Sequence, residues 1–119
     1  MVYVDGFLLA VPEDRVPEYT KIARKAGKIW KEHGALEYRE CVLDEPGPAP
    51  MRDFSKAAAL KPGEVAIFSW ITYRSKAHRN AVNKKIMADP RMVAMCNVPM
   101  PFDMKRMNYA GFRSIVDQS

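Results

Sequence analysis

Val65-Ala-Ile-Phe-Ser-Trp-Ile-Thr-Tyr73 is the stretch on which the fold turns. Nine residues rich in β-branched and aromatic side chains, bounded by Gly63 and Ser75, read as a strand. With period-two alternation, Val65, Ile67 and Ile71 lie on one side and Phe68 and Trp70 on the other, so neither side is polar. The segment Val2–Val11 has the same property: Val2, Val4 and Leu8 oppose Tyr3, Phe7 and Leu9. An antiparallel sheet with one face in water alternates apolar and polar residues. These two strands therefore call for cover on both faces.

Between them the pattern changes period. Val16, Tyr19, Ile22, Ala23, Ala26, Ile29, Trp30 and His33 recur at spacings of three and four, with Lys21, Arg24, Lys25, Lys28 and Lys31 opposite, which predicts an amphipathic helix. Asp14 is placed to cap it, Pro17 is tolerated in the first turn and Gly34 supplies a left-handed stop. Residues 35–44 are extended again, and Glu45-Pro-Gly-Pro-Ala-Pro50 is a loop. Phe54–Leu60 adds a short helical turn. Ser75 caps a second helix with Ala77, His78, Ala81, Val82 and Ile86 inward, and Asp89-Pro90 ends it and starts another turn. Asn97–Asp103 is an irregular covering segment, and Lys105–Val116 is the last strand. The order β-α-β-β-α-β predicts an α+β, ferredoxin-like domain over residues 1–119: a four-stranded antiparallel sheet, order 4-1-3-2, with both main helices on one face. The helix-free face is expected to pack on its counterpart in a homodimer, giving a dimeric α/β barrel.

Composition narrows the class of function. Among 119 residues, 48% are hydrophobic and 28% charged, which fits one globular domain and excludes a disordered or collagen-like chain. No apolar run approaches the roughly 20 residues of a membrane span, and no signal peptide is apparent at Met1–Gly6. Cys41 and Cys96 are isolated thiols, so a reducing cytosol is expected, without disulfides. The net charge of +5 invites nucleic acid. The basic stripe, which Lys76, Arg79 and Lys84 extend, lacks interleaved aromatic rings for base stacking, so it reads as a solvated face, with a non-enzymatic interaction or RNA-binding role for that surface as the alternative function.

Several blocks resemble the YbaA-like family of small bacterial proteins, which carry a domain of unknown function and belong to the dimeric α/β-barrel superfamily. They include Tyr3-Val-Asp-Gly-Phe7, Trp30-Lys-Glu-His-Gly-Ala-Leu-Glu-Tyr38, Met87-Ala-Asp-Pro-Arg-Met92 and Met100-Pro-Phe-Asp103, within a match running from Tyr3 to Phe112. The resemblance implies a ferredoxin-like protomer and a dimer with facing sheets. It brings no assigned catalytic residue.

The chemistry must be sought residue by residue. Asp5, a carboxylate amid an apolar strand, reads either as a base raised by burial or as an ion-paired strand residue. His78, near a helix N-terminus, is expected to be neutral and is the second proton-handling candidate. His33 reads as a helix C-cap. Trp70, Tyr73 and Tyr109 are expected to wall a cleft between sheet and helices, with Arg106 anchoring an anionic group. Glu37, Arg39 and Glu40 read as edge protection, with Glu37 and Arg39 on one face. Near-symmetric registers would bring Gly6, Ser69 and Gly111 together as a small-residue floor. Six of the eight methionines fall in the final third, as gap-filling or as a soft wall over an apolar ligand. No metal site, cofactor motif, phosphate loop or nucleophile elbow is present. The expected function is binding of a small apolar or aromatic molecule, with acid–base chemistry as an option.

Overall fold

Two ten-residue strands, β1 (Tyr3–Pro12) and β3 (Glu64–Tyr73), pair antiparallel over their whole length, from Tyr3 opposite Tyr73 to Pro12 opposite Glu64. The computed structural model describes residues 1–118. Strand β2 (Glu37–Val42) flanks β3, and β4 (Asn108–Arg113) flanks β1, giving an antiparallel sheet of order β2-β3-β1-β4. This is the expected order read from the opposite edge. Helices α1 (Val16–Glu32) and α3 (Lys76–Ala88) follow β1 and β3, while α2 (Phe54–Ala57) and α4 (Pro90–Cys96) are short additions.

The register redistributes the small residues. Gly6 faces Trp70 and Ala110, Ser69 faces Phe7, and Gly111 faces Asp5. Ser69 and Gly111 therefore share the helix-bearing face, whereas Gly6 points to the other one, so the expected three-residue floor does not form. A slip of one residue reverses every side chain, and sequence symmetry does not set that slip.

Helix α1 buries Tyr19, Ala23, Ala26 and Ile29, and Gly34 beyond it has the positive φ of +111° that a left-handed stop needs. Asp14 does not cap it. A 3-10 turn, Glu13–Arg15, intervenes, and α1 starts without a side-chain cap. Ser75 does cap α3, its hydroxyl accepting the His78 backbone N–H at 3.1 Å. The inward stripe of α3 differs from the expected one: Val82 and Ile86 are buried, Ala77 and Ala81 are exposed, and Arg79 turns towards the sheet. The last strand starts at Asn108, because Asp103 accepts the Lys105 N–H and winds Met104–Arg106 into a 3-10 turn.

Two apolar clusters fill the sheet–helix layer. Ile29, Ile71, Tyr73, Val82 and Ile86 form one, and Leu9, Val11, Tyr19, Ala23 and Ile67 the other. Each large side chain buried there is worth roughly 1.5–3 kcal/mol. On the opposite face Val4, Leu8, Phe68, Trp70 and Phe112 have no such layer, and Phe68 and Phe112 are 44% and 56% exposed. Phe54 of α2 reaches this side, edge-on to Phe68 at 5.7 Å.

The far end of α1 is tied to the link between α3 and α4. His33 Nε2 lies 2.7 Å from Asp89 Oδ2, and Arg91 spans Asp89 and Glu32, at 2.8 Å and 2.7 Å. Arg91, then His33, hold the Asp89 carboxyl well below the usual carboxylate range. A depressed folded-state pKa stabilises above the unfolded value, near 4, and that stability is lost as pH falls below it. Asp89→Asn is therefore expected to lower the urea midpoint at pH 7 and to converge with the parent as pH drops from about 5 towards 2. Parallel curves across that window would contradict the assignment.

Candidate functional site

Asp5 is 1% exposed, on the helix-facing side of the central strand β1. A buried carboxylate needs partners, since desolvation disfavours its charge. Three side chains from three elements supply them. The Tyr73 hydroxyl donates to Oδ2 at 3.2 Å, and the Tyr109 hydroxyl donates to Oδ1 at 3.1 Å. Arg79 Nη1 lies 3.4 Å from Oδ1 and donates to the Tyr109 oxygen at 2.9 Å. Arg79 Nη2 donates to the Tyr3 hydroxyl at 3.3 Å, and the guanidinium sits 4.9 Å from the Tyr3 ring centroid, a cation–π contact. Gly111 makes room for this: a Cβ there would collide with the Tyr3 hydroxyl.

Burial first, then the negative charge of Asp5, pushes the Tyr73 and Tyr109 hydroxyls above the ordinary tyrosine value. Both phenols are therefore neutral donors at pH 7. Tyr73 is sealed, whereas Tyr109 is half-exposed, so of the two phenols bonded to Asp5 it is Tyr109 that has solvent access. Arg79 Nε and Asn83 Oδ1, one turn apart on α3, are buried without a partner.

Next to this cluster lies a cavity of about 270 Å³ between the sheet and the layer formed by α1, α4 and residues 97–107. Phe7 links the two, lining the cavity while its ring packs 5.0 Å from that of Tyr109. Five of the six clustered methionines line it: Met92, Met95, Met100, Met104 and Met107. Met87 is exposed instead. Across the cavity Glu40 accepts the hydroxyls of Tyr19 and Tyr38, each at 2.7 Å. A second, more open groove of about 630 Å³ lies between α1 and the edge strand β2, and it shares Tyr19, Ala23, Tyr38 and Glu40 with the inner cavity.

The residues singled out from sequence divide. Asp5, Tyr73 and Tyr109 come together. Trp70 leaves that group, because its face is set by pairing with Gly6 and Arg39 and its Nε1 donates to Glu37 at 2.8 Å, yet it is among the residues lining the cavity, which Tyr73 and Tyr109 are not. His78 stacks edge-on to Tyr73 at 6.0 Å between ring centroids, and its Nδ1 accepts the Arg74 N–H at 3.0 Å. Burial, then Arg74 and Lys85, lower its pKa, so the ring is neutral as expected, but it makes no hydrogen bond to Asp5. Arg106 forks onto Glu64 at 2.7 Å through both terminal nitrogens and also donates to the Ala59 carbonyl. That bidentate contact holds the Glu64 carboxyl down at about 2 and commits the guanidinium outside the cavity lining. Arg79, read as part of the basic surface, is instead the cation of the cluster. Lys21, Arg24, Lys25, Lys28 and Lys31 do lie on the exposed side of α1. Among the described residues no His, Cys, Asp and Glu group suits a metal ion, and no helix is long and apolar enough to cross a membrane.

Sheet order and helix placement define a ferredoxin-like α+β protein. Residues 2–104 match the family described as a protein of unknown function, DUF1428, and the chain belongs to that family. It is 46% identical over 118 residues to the uncharacterized protein YbaA of Escherichia coli K12, covering 99% of this chain and 100% of that one. Three solved structures share the fold at low identity. An uncharacterized NIPSNAP domain protein from Burkholderia xenovorans superposes with a TM-score of 0.63 at 17% identity over 98% of both chains. A putative antibiotic biosynthesis monooxygenase from Nitrosomonas europaea gives 0.61 at 9%, covering 99% of this chain and 94% of that one. A dimeric ferredoxin-like protein from an uncultured marine organism gives 0.53 at 11%, covering 100% and 99%.

Removing Arg79 should expose the cost of the buried charge. Arg79→Met leaves Asp5 with two neutral donors and no cation, and is expected to lower unfolding stability by about 3 kcal/mol. Adding Asp5→Asn is expected to recover part of that loss, because the uncompensated charge is gone. Additive losses in the double variant, measured by urea denaturation, would show that the two residues are not coupled.

Proposed function

We propose that this protein is a homodimer that binds a small, mostly apolar molecule in the sheet–helix cavity of each protomer, with Tyr109 as the group able to hand over or accept a proton. The observation that carries the reading is the cavity itself. It is apolar on most sides, lined by adaptable methionines and aromatic rings, and flanked by a few fixed polar groups, the make-up of small-molecule sites in general. Its volume of about 270 Å³ lies just below the roughly 300–1,000 Å³ such sites span. The fold shared with a putative antibiotic biosynthesis monooxygenase supports a small organic ligand, and the fold shared with a dimeric ferredoxin-like protein supports the dimer.

The proton-handling role falls to Tyr109 with Asp5 and Arg79 behind it. Arg79 donates to the phenol oxygen and would stabilise a phenolate, while Asp5 accepts the hydroxyl proton and holds the ring in place. Tyr73 fixes the second Asp5 oxygen. His78 acts structurally, closing the start of α3 against Tyr73.

Saturation-transfer NMR with n-propylbenzene, a neutral apolar probe, tests the cavity. Transfer to the probe is expected with the parent protein and is expected to vanish in Ala23→Phe, which fills the cavity from α1. Absence of transfer in the parent, or its persistence in a folded Ala23→Phe variant, would overturn the reading.

A further inference from the structure

Glu40 is the one acidic residue among those lining the inner cavity. Its two oxygens accept the Tyr19 and Tyr38 hydroxyls, and among the described residues no basic side chain reaches salt-bridge distance of it. Every other carboxylate discussed here that lies below the surface, Asp5, Glu64 and Asp89, has an arginine against it. A carboxylate offers about four acceptor sites, so two phenols leave capacity for further donors. The surroundings suit a positive charge as well. The rings of Tyr19, Tyr38, Trp30 and Phe102 line the same cavity, and aromatic faces attract cations.

We infer that the ligand of this cavity is a small primary or secondary amine, carried as an ammonium ion on an apolar body, with its N–H groups donating to Glu40 and its body lying among the methionines. The inference rests on the reading that the cavity binds a ligand at all. It runs against the overall charge of +5, against Arg24 and Lys28 at the edge of the outer groove, and against Arg39, which is among the residues lining the inner cavity although its guanidinium is turned to Glu37. Charges in solvent are screened beyond about 8 Å at physiological salt, whereas a contact with Glu40 inside the cavity is screened far less. Those same cations make an anionic ligand the natural competitor.

Four probes of one shape separate the cases: 2-phenylethylamine, 2-phenylethanol, phenylacetate and n-propylbenzene, titrated by NMR at fixed salt and pH 7. The amine is expected to bind at least roughly tenfold tighter than the alcohol or the acid, as a hydrogen bond to a charged group allows. Glu40→Gln, which keeps shape and an acceptor for the phenols, is expected to erase that preference and leave n-propylbenzene within about twofold of the parent. Tyr19→Phe keeps the carboxylate and frees an acceptor site, so amine affinity should hold or rise. An amine no tighter than the alcohol, a tighter acid, a preference surviving in Glu40→Gln, or amine affinity lost in Tyr19→Phe would each overturn the inference while n-propylbenzene still binds. If Glu40→Gln fails to fold, the parent series and Tyr19→Phe decide. Failure of all four probes on the parent would remove the ligand cavity itself.

Discussion

Everything in this molecule answers to a central strand pair that is apolar on both sides. β1 and β3 put Leu9, Val11, Ile67 and Ile71 towards the helices and Val4, Leu8, Phe68 and Trp70 away from them. One side is settled within the chain, where α1, α3 and the methionine-rich segment close over it and leave a cavity. The other side is left with half-exposed aromatic rings and a single small helix at one corner. Water tolerates scattered apolar side chains but not a contiguous apolar sheet face. A second copy of the same sheet, stacked about 10 Å away, is the cover we propose for that face.

The helix-facing layer carries charge as well as grease, and that is where chemistry can begin. A carboxylate in the middle of β1 would be costly without Arg79, and Arg79 would be costly without Asp5 and the tyrosine hydroxyls. Together they form a neutral, hydrogen-bonded block that holds Tyr109 beside Phe7, one of the residues lining the apolar cavity. Glu40 stands apart because only neutral phenols answer it. The layer thus holds two separate polar features, an internally balanced cluster around Asp5 and a carboxylate, Glu40, lining the cavity.

Much of the architecture was legible from residue patterns. Alternation in Val65–Tyr73 marked a two-sided strand, spacing marked α1, and Ser75, Asp89 and Pro90 marked the boundaries around α3 and α4 as observed. Asp5, Tyr73 and Tyr109 were each singled out, but their meeting on one face was not legible, because it depends on the strand register. Register itself was not legible, since the shift that separates Gly6 from Ser69 depends on pairing across the whole sheet. Arg79 was hidden for a different reason. Apolar periodicity looks for apolar residues, whereas the inner stripe of α3 runs Arg79, Val82, Asn83 and Ile86, with polar members where buried charge needs them. The signal was present in Asp5, which required a cation from somewhere. Glu40 was read as edge protection along with Glu37 and Arg39, although period-two alternation already placed it on the opposite face. Arg106 and Trp70 were assigned by residue type, and each found a carboxylate elsewhere, at Glu64 and Glu37.

The account stands or falls on what covers the helix-free face. Sedimentation equilibrium at low micromolar concentration and physiological salt measures this directly. The expected result is the mass of two chains in the parent protein and of one chain when Phe68→Lys places a charge at the centre of that face. A parent protein that sediments as a folded single chain would mean that this aromatic face lives in water unaided, and the argument for its partner would be lost.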